Sequence, residues 1–192
     1  MSTLTLAARP RVLVDLIPGG RVRDVAAVLS AAGLTGLCAQ ISIHTPLSPV
    51  PFTLQTFAVL LAGAVLGSAR SGLGMALYLL AGGLGLPWFA HAGSGWGGPS
   101  FGYLIGFVLA AGAVGRLSER RADRHLLSTA GQFVFGSVIV YAVGAGWLAA
   151  DLHLSLGQAI DLGVRPFLAT DLIKAALAAL VLPSTWALLE RR

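Results

Sequence analysis

The chain is 192 residues long, 56% apolar and only 11% charged, with a mean hydropathy of +0.81 and a formal charge of +5. Soluble domains usually carry about 25% charged residues, so a water-soluble fold would lack the charge to cover its own surface. The basic residues sit in short clusters between apolar runs, not on one face among aromatics, which argues against nucleic acid as a partner, and a lone cysteine, Cys38, excludes internal disulfides and any cysteine-built zinc site.

Residues 1–24 read as a cytoplasmic N-terminal segment in which Arg9, Arg11, Arg21 and Arg23 interrupt a weak apolar stretch. It has no signal-peptide pattern, so the first span is expected to serve as the insertion signal. That span is the charge-free run 25–43, with Asp24 where a helix N-cap would stand. Pro46, Pro49 and Pro51 break the helix over 44–51. A second run, 52–69, stops at Arg70, and a third, 71–89, follows at once as the other arm of a tight hairpin. Residues 90–100 form a glycine-rich loop. The fourth run, 101–115, ends at Arg116 and leads into the most charged stretch, 118–125. The fifth covers 126–150. After a mixed loop with a short amphipathic segment (151–165), the last run, 166–189, is the only one with interior charges, Asp171 and Lys174.

These runs predict an all-α integral membrane protein: a single membrane domain built as a six-transmembrane-helix bundle over 25–189, with N- and C-termini cytoplasmic and a tail of 190–192. Six spans of about 20 residues use most of the chain. They also place eleven of the thirteen Lys and Arg residues on one side, which the positive-inside rule makes the cytoplasmic one. The expected location is the inner cell membrane, with the lipid bilayer as solvent. Small residues recur at helical spacing, as in Ala27 with Ala31, Ala32 with Gly36, Gly63 with Gly67 and Gly102 with Gly106. Such pairs let helices approach closely inside a bundle, or let one face, above all on the first span, dock a membrane partner or a second copy.

Asp171 and Lys174 carry the most chemical weight. An ionisable group within a span costs roughly 2.5–3.5 kcal/mol on insertion scales and by default marks function. At i,i+3 the two share a helix face, either as a polar ligand site or as a self-contained ion pair that only orients the helix. Gln55, beside Thr53 and Thr56 at the outer end of the second span, can give or accept hydrogen bonds to a ligand or glue helices together. Tyr103, Trp88 and Trp96 fall at the same outer level, where aromatic belts also place such residues. Residues 93–98 match GxGxxG but lie in a loop between helices, and no GxxxxGK(S/T) pattern occurs, so neither dinucleotide binding nor P-loop hydrolysis is expected. His44, His91, His125 and His153 sit in loops without metal-ligand spacing. No catalytic residue, metal or cofactor is therefore expected.

Four ordered stretches resemble the BioY family, the substrate-binding S components of biotin transporters of the energy-coupling factor type. They are PVPFTLQTFAVLLAG at 49–63, LYLLAGGLGLPWFA at 77–90, GPSFGYLIGF at 98–107, similar to the family's GPTGGYLxGF, and PFLATDLIKAALA at 166–178. The resemblance implies a six-helix bundle that captures biotin at the outer face and delivers it inward, without catalysis, alongside a separate transmembrane coupling protein and ATPase subunits. It places Asp171 and Lys174 of the DxxK stretch, and Gln55 of the TLQ stretch, in the biotin pocket; Thr53, Tyr103 and Trp88, at the same outer level by their place in the sequence, are the further candidates for that site. A carboxylate suits biotin's ureido N–H groups and an ammonium its carboxylate. One helical turn, about 5.4 Å, is shorter than the distance between biotin's polar ends, so one of the pair is expected to act indirectly. Two departures stand out: Phe101-Gly102 replaces Gly-Gly, and the outer loop 90–100 bears no formal charge, which leaves the carboxylate to Lys174. Outside this reading stand an S component for another vitamin and a small proton- or ion-conducting protein using Asp171 and Lys174 as a relay.

Overall fold

The computed structural model describes residues 12–190, leaving Arg9, Arg11, Arg191 and Arg192 outside the described residues. Seven α-helices and one β-hairpin follow in order: α1 (Gly20–Gln40), β1 (Ser42–Thr45), β2 (Ser48–Thr53), α2 (Gln55–Leu66), α3 (Ser68–Gly83), α4 (Phe101–Ser118), α5 (Leu126–Asp151), α6 (Leu156–Gly163) and α7 (Leu168–Glu190). By length and composition α1, α4, α5 and the stretch Leu156–Leu189 can each cross a membrane; α2 is apolar but shorter. The exterior is apolar too. Leu29, Leu37, Leu109, Val138, Leu172 and Ile173 are all exposed, a surface that matches hydrocarbon and not water.

Small residues set the interhelical spacing, since burial from lipid supplies no hydrophobic drive and close van der Waals contact must hold the helices. Ala27, Ala31, Ala32 and Gly36 are buried on one face of α1. Gly74 of α3 meets Ala31 there, and Gly36 accepts the ring of Trp88, so this face packs within the chain. Gly102 and Gly106 of α4 lie against Val143, Val140 and Trp147 of α5, and Gly144 of α5 returns the contact against the Tyr103 ring. Met75, Tyr78, Val59, Val114, Phe133 and Leu148 fill the interior between them.

Three boundaries differ from those the sequence predicts. The α2–α3 corner falls at Gly67, not at Arg70, because Gly67 takes φ = +81° and a side chain on Gly115 would collide with the Gly67–Ser68 peptide. Helix α1 begins at Gly20 and carries Asp24 inside it. The Asp24 carboxylate accepts from Arg70 at 2.9 Å and lies 3.0 Å from Arg23, so it ties α1 to α3 and caps nothing. The proline-rich stretch is an antiparallel ribbon, pairing Ser42 with Thr53 and Ile43 with Phe52, so the chain is mostly helical with one short sheet. Pro49 and Pro51, two apart, share one edge of β2, and a two-stranded ribbon always has an unpaired edge for them.

The charged stretch 118–125 closes the opposite end of the bundle. Glu119 Oε1 accepts the Ser68 amide at 2.8 Å and its hydroxyl at 2.7 Å, serving the first turn of α3, whose own N-cap, Gly67, supplies no side chain. Burial works against the charge, but the two Ser68 bonds and Arg116 hold the Glu119 carboxyl below the usual glutamate range. Nearby, Asp123 is fully buried and accepts from Trp186 Nε1, while the Arg124 guanidinium lies over the Trp186 ring, so this turn holds α7 in place.

Candidate functional site

At the hairpin end of the bundle the helices part around a cavity of about 640 Å³. Strand β2, the start of α2, the 89–100 loop, the first turns of α4, the middle of α5 and the start of α7 all contribute to its wall. The volume lies in the usual range of small-ligand sites, about 300–1,000 Å³.

Its floor is ionic. Lys174 Nζ lies 2.8 Å from Asp171 Oδ1 and donates to the Thr53 carbonyl at 3.1 Å. Asp171 Oδ2 accepts the Tyr141 hydroxyl at 2.6 Å. The pair thus joins α7 to α5 and to the end of β2. Both charges line the cavity with side chains only 7% and 16% exposed, so the attraction between them is poorly screened.

Gln55 is equally buried at the top of α2. Its Nε2 donates to the Tyr78 hydroxyl at 2.8 Å, and that hydroxyl donates to the Trp88 carbonyl at 3.1 Å. Among the described residues its side chain bonds the protein through Nε2 alone, which leaves Oε1 as an acceptor beside the cavity. Tyr103 contributes its ring, while its hydroxyl donates to the Gly163 carbonyl at 2.8 Å and so anchors α6. Apolar walls complete the site: the rings of Phe52 and Phe167 stand 4.4 Å apart, with Phe101, Phe107 and Val140 also lining it.

Of the residues expected from sequence, Asp171, Lys174, Gln55, Thr53 and Tyr103 come together around this one cavity. Trp88 does not line it. Its indole donates to the Tyr78 carbonyl at 3.0 Å, and its ring packs tilted against that of Tyr78, the partner of Gln55. Sequence reasoning missed Tyr141, whose only signal is a phenol in the middle of a charge-free run. It also left His44 and His91 as plain loop residues, although both line the rim with rings stacked 4.1 Å apart at 15°.

The rim loop is held in an unusual backbone state. His91 and Ala92 adopt φ = +58° and +55°, a left-handed region that side chains rarely occupy. Gln40 at the end of α1 holds it: its Oε1 accepts the Ala92 amide at 3.2 Å, and its Nε2 reaches the carbonyls of Trp88 and Phe89, both at 3.2 Å. Backbone strain of this kind, worth on the order of 1–3 kcal/mol per residue, collects at ligand sites.

A deep cavity with a paired carboxylate and ammonium, an open amide carbonyl and aromatic walls can hold a small molecule with several polar groups on an apolar frame. Comparison with known proteins agrees on one family. A model described as "BioY family" matches residues 7–191. The biotin transporter BioY of Thermotoga maritima is 42% identical over 142 residues, covering 72% of this chain and 82% of that protein. The probable biotin transporter BioY of Pyrococcus horikoshii is 37% identical over 164 residues, covering 84% and 94%. Among solved structures, the S-component for biotin from an ECF-type ABC transporter superposes with a TM-score of 0.77 over 87% of this chain and 92% of that one; at 22% identity it speaks for the fold. With the match running nearly end to end, the chain belongs to the BioY family.

Proposed function

We propose that the chain is the biotin-binding membrane component of a vitamin uptake system, capturing biotin at the outer face and delivering it to the cytoplasm. The observation that carries this reading is the cavity in which Asp171, Lys174, Tyr141 and Gln55 converge at the hairpin end. The ureido ring of biotin donates two N–H groups, for which Asp171 and the open Gln55 carbonyl are acceptors, and its carbonyl accepts from the third N–H of Lys174. The thioether ring and alkyl tail fit the Phe52, Phe167 and Phe107 walls.

In this reading α1, α2, α3, α4, α5 and α7 are the six spans, and α6 lies flat at the outer surface. Its capping box, with Ser155 accepting the Gln158 amide at 3.3 Å, starts it independently of α5. The arginine-rich end, with Arg70, Arg116, Arg120, Arg121 and Arg124, faces the cytoplasm, as do both termini. The chain has no catalytic role of its own; a transmembrane coupling protein and ATPase subunits energise the step, and the cytoplasmic membrane is its location.

Isothermal titration of the purified protein with biotin tests the proposal. A dissociation constant tighter than about 1 μM is expected for a site this enclosed. Millimolar or absent binding, with the fold intact, defeats it.

A further inference from the structure

Asp171 and Tyr141 face two cavities, not one. Besides the ligand cavity they line a second space, of about 400 Å³, enclosed between α5, α6 and α7. Among the described residues no others are common to both walls. The two side chains, with the 2.6 Å hydrogen bond that joins them, are therefore the partition between the ligand cavity and this crevice.

The crevice differs in kind from the cavity it adjoins. Asp171 is the only charged residue in its wall, and Ser137 and Tyr141 are the only other polar side chains there; the remainder are aliphatic or glycine. It opens onto the apolar exterior, since Val138 of α5 and Leu172 of α7, both in its wall, are exposed. Leu156 and Ile160 of α6 close it at one end, and Tyr103 holds that short helix through the Gly163 carbonyl. Small residues on α5 leave the space: a side chain on Gly146 would meet nothing within 4 Å.

Its chemistry selects the occupant. Water needs two to four polar partners, and aliphatic walls supply none along most of the crevice. An anionic head would meet the Asp171 carboxylate at the inner end and be repelled. A hydrocarbon chain, entering by its methyl end, meets neither penalty. It comes from the lipid against which Val138 and Leu172 already stand, and it gains the close contacts that an empty space forfeits.

We propose that the crevice between α5, α6 and α7 is a binding site for one acyl chain of a membrane phospholipid, and that this chain holds Tyr141 against Asp171 from behind. With the crevice filled, the Tyr141 ring has no space to swing into, and water cannot reach the carboxylate from the lipid side. Asp171 then keeps its hydroxyl donor, and the ionic floor of the ligand cavity stays in a dry, weakly screening setting where its hydrogen bonds are strongest. The lipid site stands on its own observations; its effect on the ligand rests on the biotin reading above.

The test compares the full chain with Gly146→Leu and, separately, Ala142→Leu, each of which fills the crevice from α5; neither residue lines the ligand cavity. The proteins are purified in a steroid-based detergent, whose rigid rings do not thread a narrow crevice, and retained phospholipid is counted by native mass spectrometry. The native chain is expected to keep a phospholipid that both variants lose. Biotin titrations follow on native chain with its lipid, stripped of it, and with dioleoyl phosphatidylcholine returned. Stripping is expected to weaken biotin binding about tenfold, the weight of one hydrogen bond to a charged group, and the returned lipid to restore it. The filled variants should bind biotin equally with and without lipid. Tyr141→Phe has no such bond to lose, so stripping should weaken it no further. Equal lipid retention by native and filled chains overturns the proposal, as does a native affinity unmoved by stripping; the second arm needs no variant and so decides even where a substitution unfolds the chain. A further tenfold loss in stripped Tyr141→Phe overturns the role of the Tyr141–Asp171 bond. Absence of biotin binding by the native chain under every condition overturns the biotin reading, while the lipid count still decides the crevice.

Discussion

At Asp171 three elements meet on one carboxylate. Lys174 holds Oδ1, the Tyr141 hydroxyl holds Oδ2, and the chain of contacts runs on through Lys174 to the Thr53 carbonyl. Removing the negative charge leaves a buried ammonium with only neutral acceptors for company, a loss that typically costs about 3–5 kcal/mol. Asp171→Asn is therefore expected to weaken biotin binding by at least about 100-fold, measured by titration calorimetry. Binding within twofold of the native value would mean the pair only orients α7. Tyr141→Phe removes one hydrogen bond to a charged group and keeps the ring, so a loss of about tenfold is expected from the same measurement. The charged pair was legible from sequence because charge in a span is rare. Tyr141 was not: a phenol in an apolar run looks like any other aromatic until α5 is laid against α7, thirty residues away in the chain. His91 escaped for a different reason, since its placement depends on a left-handed backbone that Gln40 imposes from another helix.

Helix α3 shows how one element relies on another for its ends. Its N-cap is a glycine without a side chain, and Glu119 at the end of α4 provides the missing acceptor. The bond is made by the carboxylate, and its pKa is lowered in the folded chain. A carboxyl with a depressed folded pKa contributes stability above its unfolded value, near 4.5, and loses it as pH falls through the folded value. Thermal unfolding in detergent should accordingly show Glu119→Gln less stable than native at neutral pH by about 1 kcal/mol, with the gap closing as pH falls through the lowered folded value. A gap that persists in acid would make the contribution one of shape and not of charge. The same corner explains why Gly115 tolerates no side chain: Gly115→Ala pushes a Cβ into the Gly67–Ser68 peptide and should cost about 1–3 kcal/mol in the same assay. Most helices were visible as charge-free runs, but their ends were not. Arg70 looks like a boundary because it is charged, yet the turn is set by Gly67 and by what packs on it. The hairpin hid behind Pro46, Pro49 and Pro51, which signal broken helix correctly and conceal that a ribbon with a free edge can absorb them.

For the whole molecule, the two ends differ in kind. The hairpin end has the cavity, the His44–His91 rim and a loop without Asp, Glu, Lys or Arg, whereas the other end gathers Arg70, Arg116, Arg120, Arg121 and Arg124 with their acidic partners. Moving the second set across a bilayer would carry strongly hydrated guanidinium groups through hydrocarbon, which is the ground for proposing that insertion leaves them on the side of synthesis. In the proposed orientation the cavity opens outward, which is the direction a scavenged vitamin comes from. Sidedness can be tested because the only thiol, Cys38, is buried inside α1. In a Cys38→Ala background, Ser94→Cys in the rim loop should react with a membrane-impermeant maleimide added to intact cells. Arg120→Cys, in the turn after α4, should react only after the membrane is opened. The two positions are on opposite ends of α4, so the reagent must label one and spare the other if that helix crosses the bilayer. Reversed labelling would turn the cavity toward the cytoplasm, and capture from outside would no longer follow from the fold; labelling of both in intact cells would remove α4 from the set of spans.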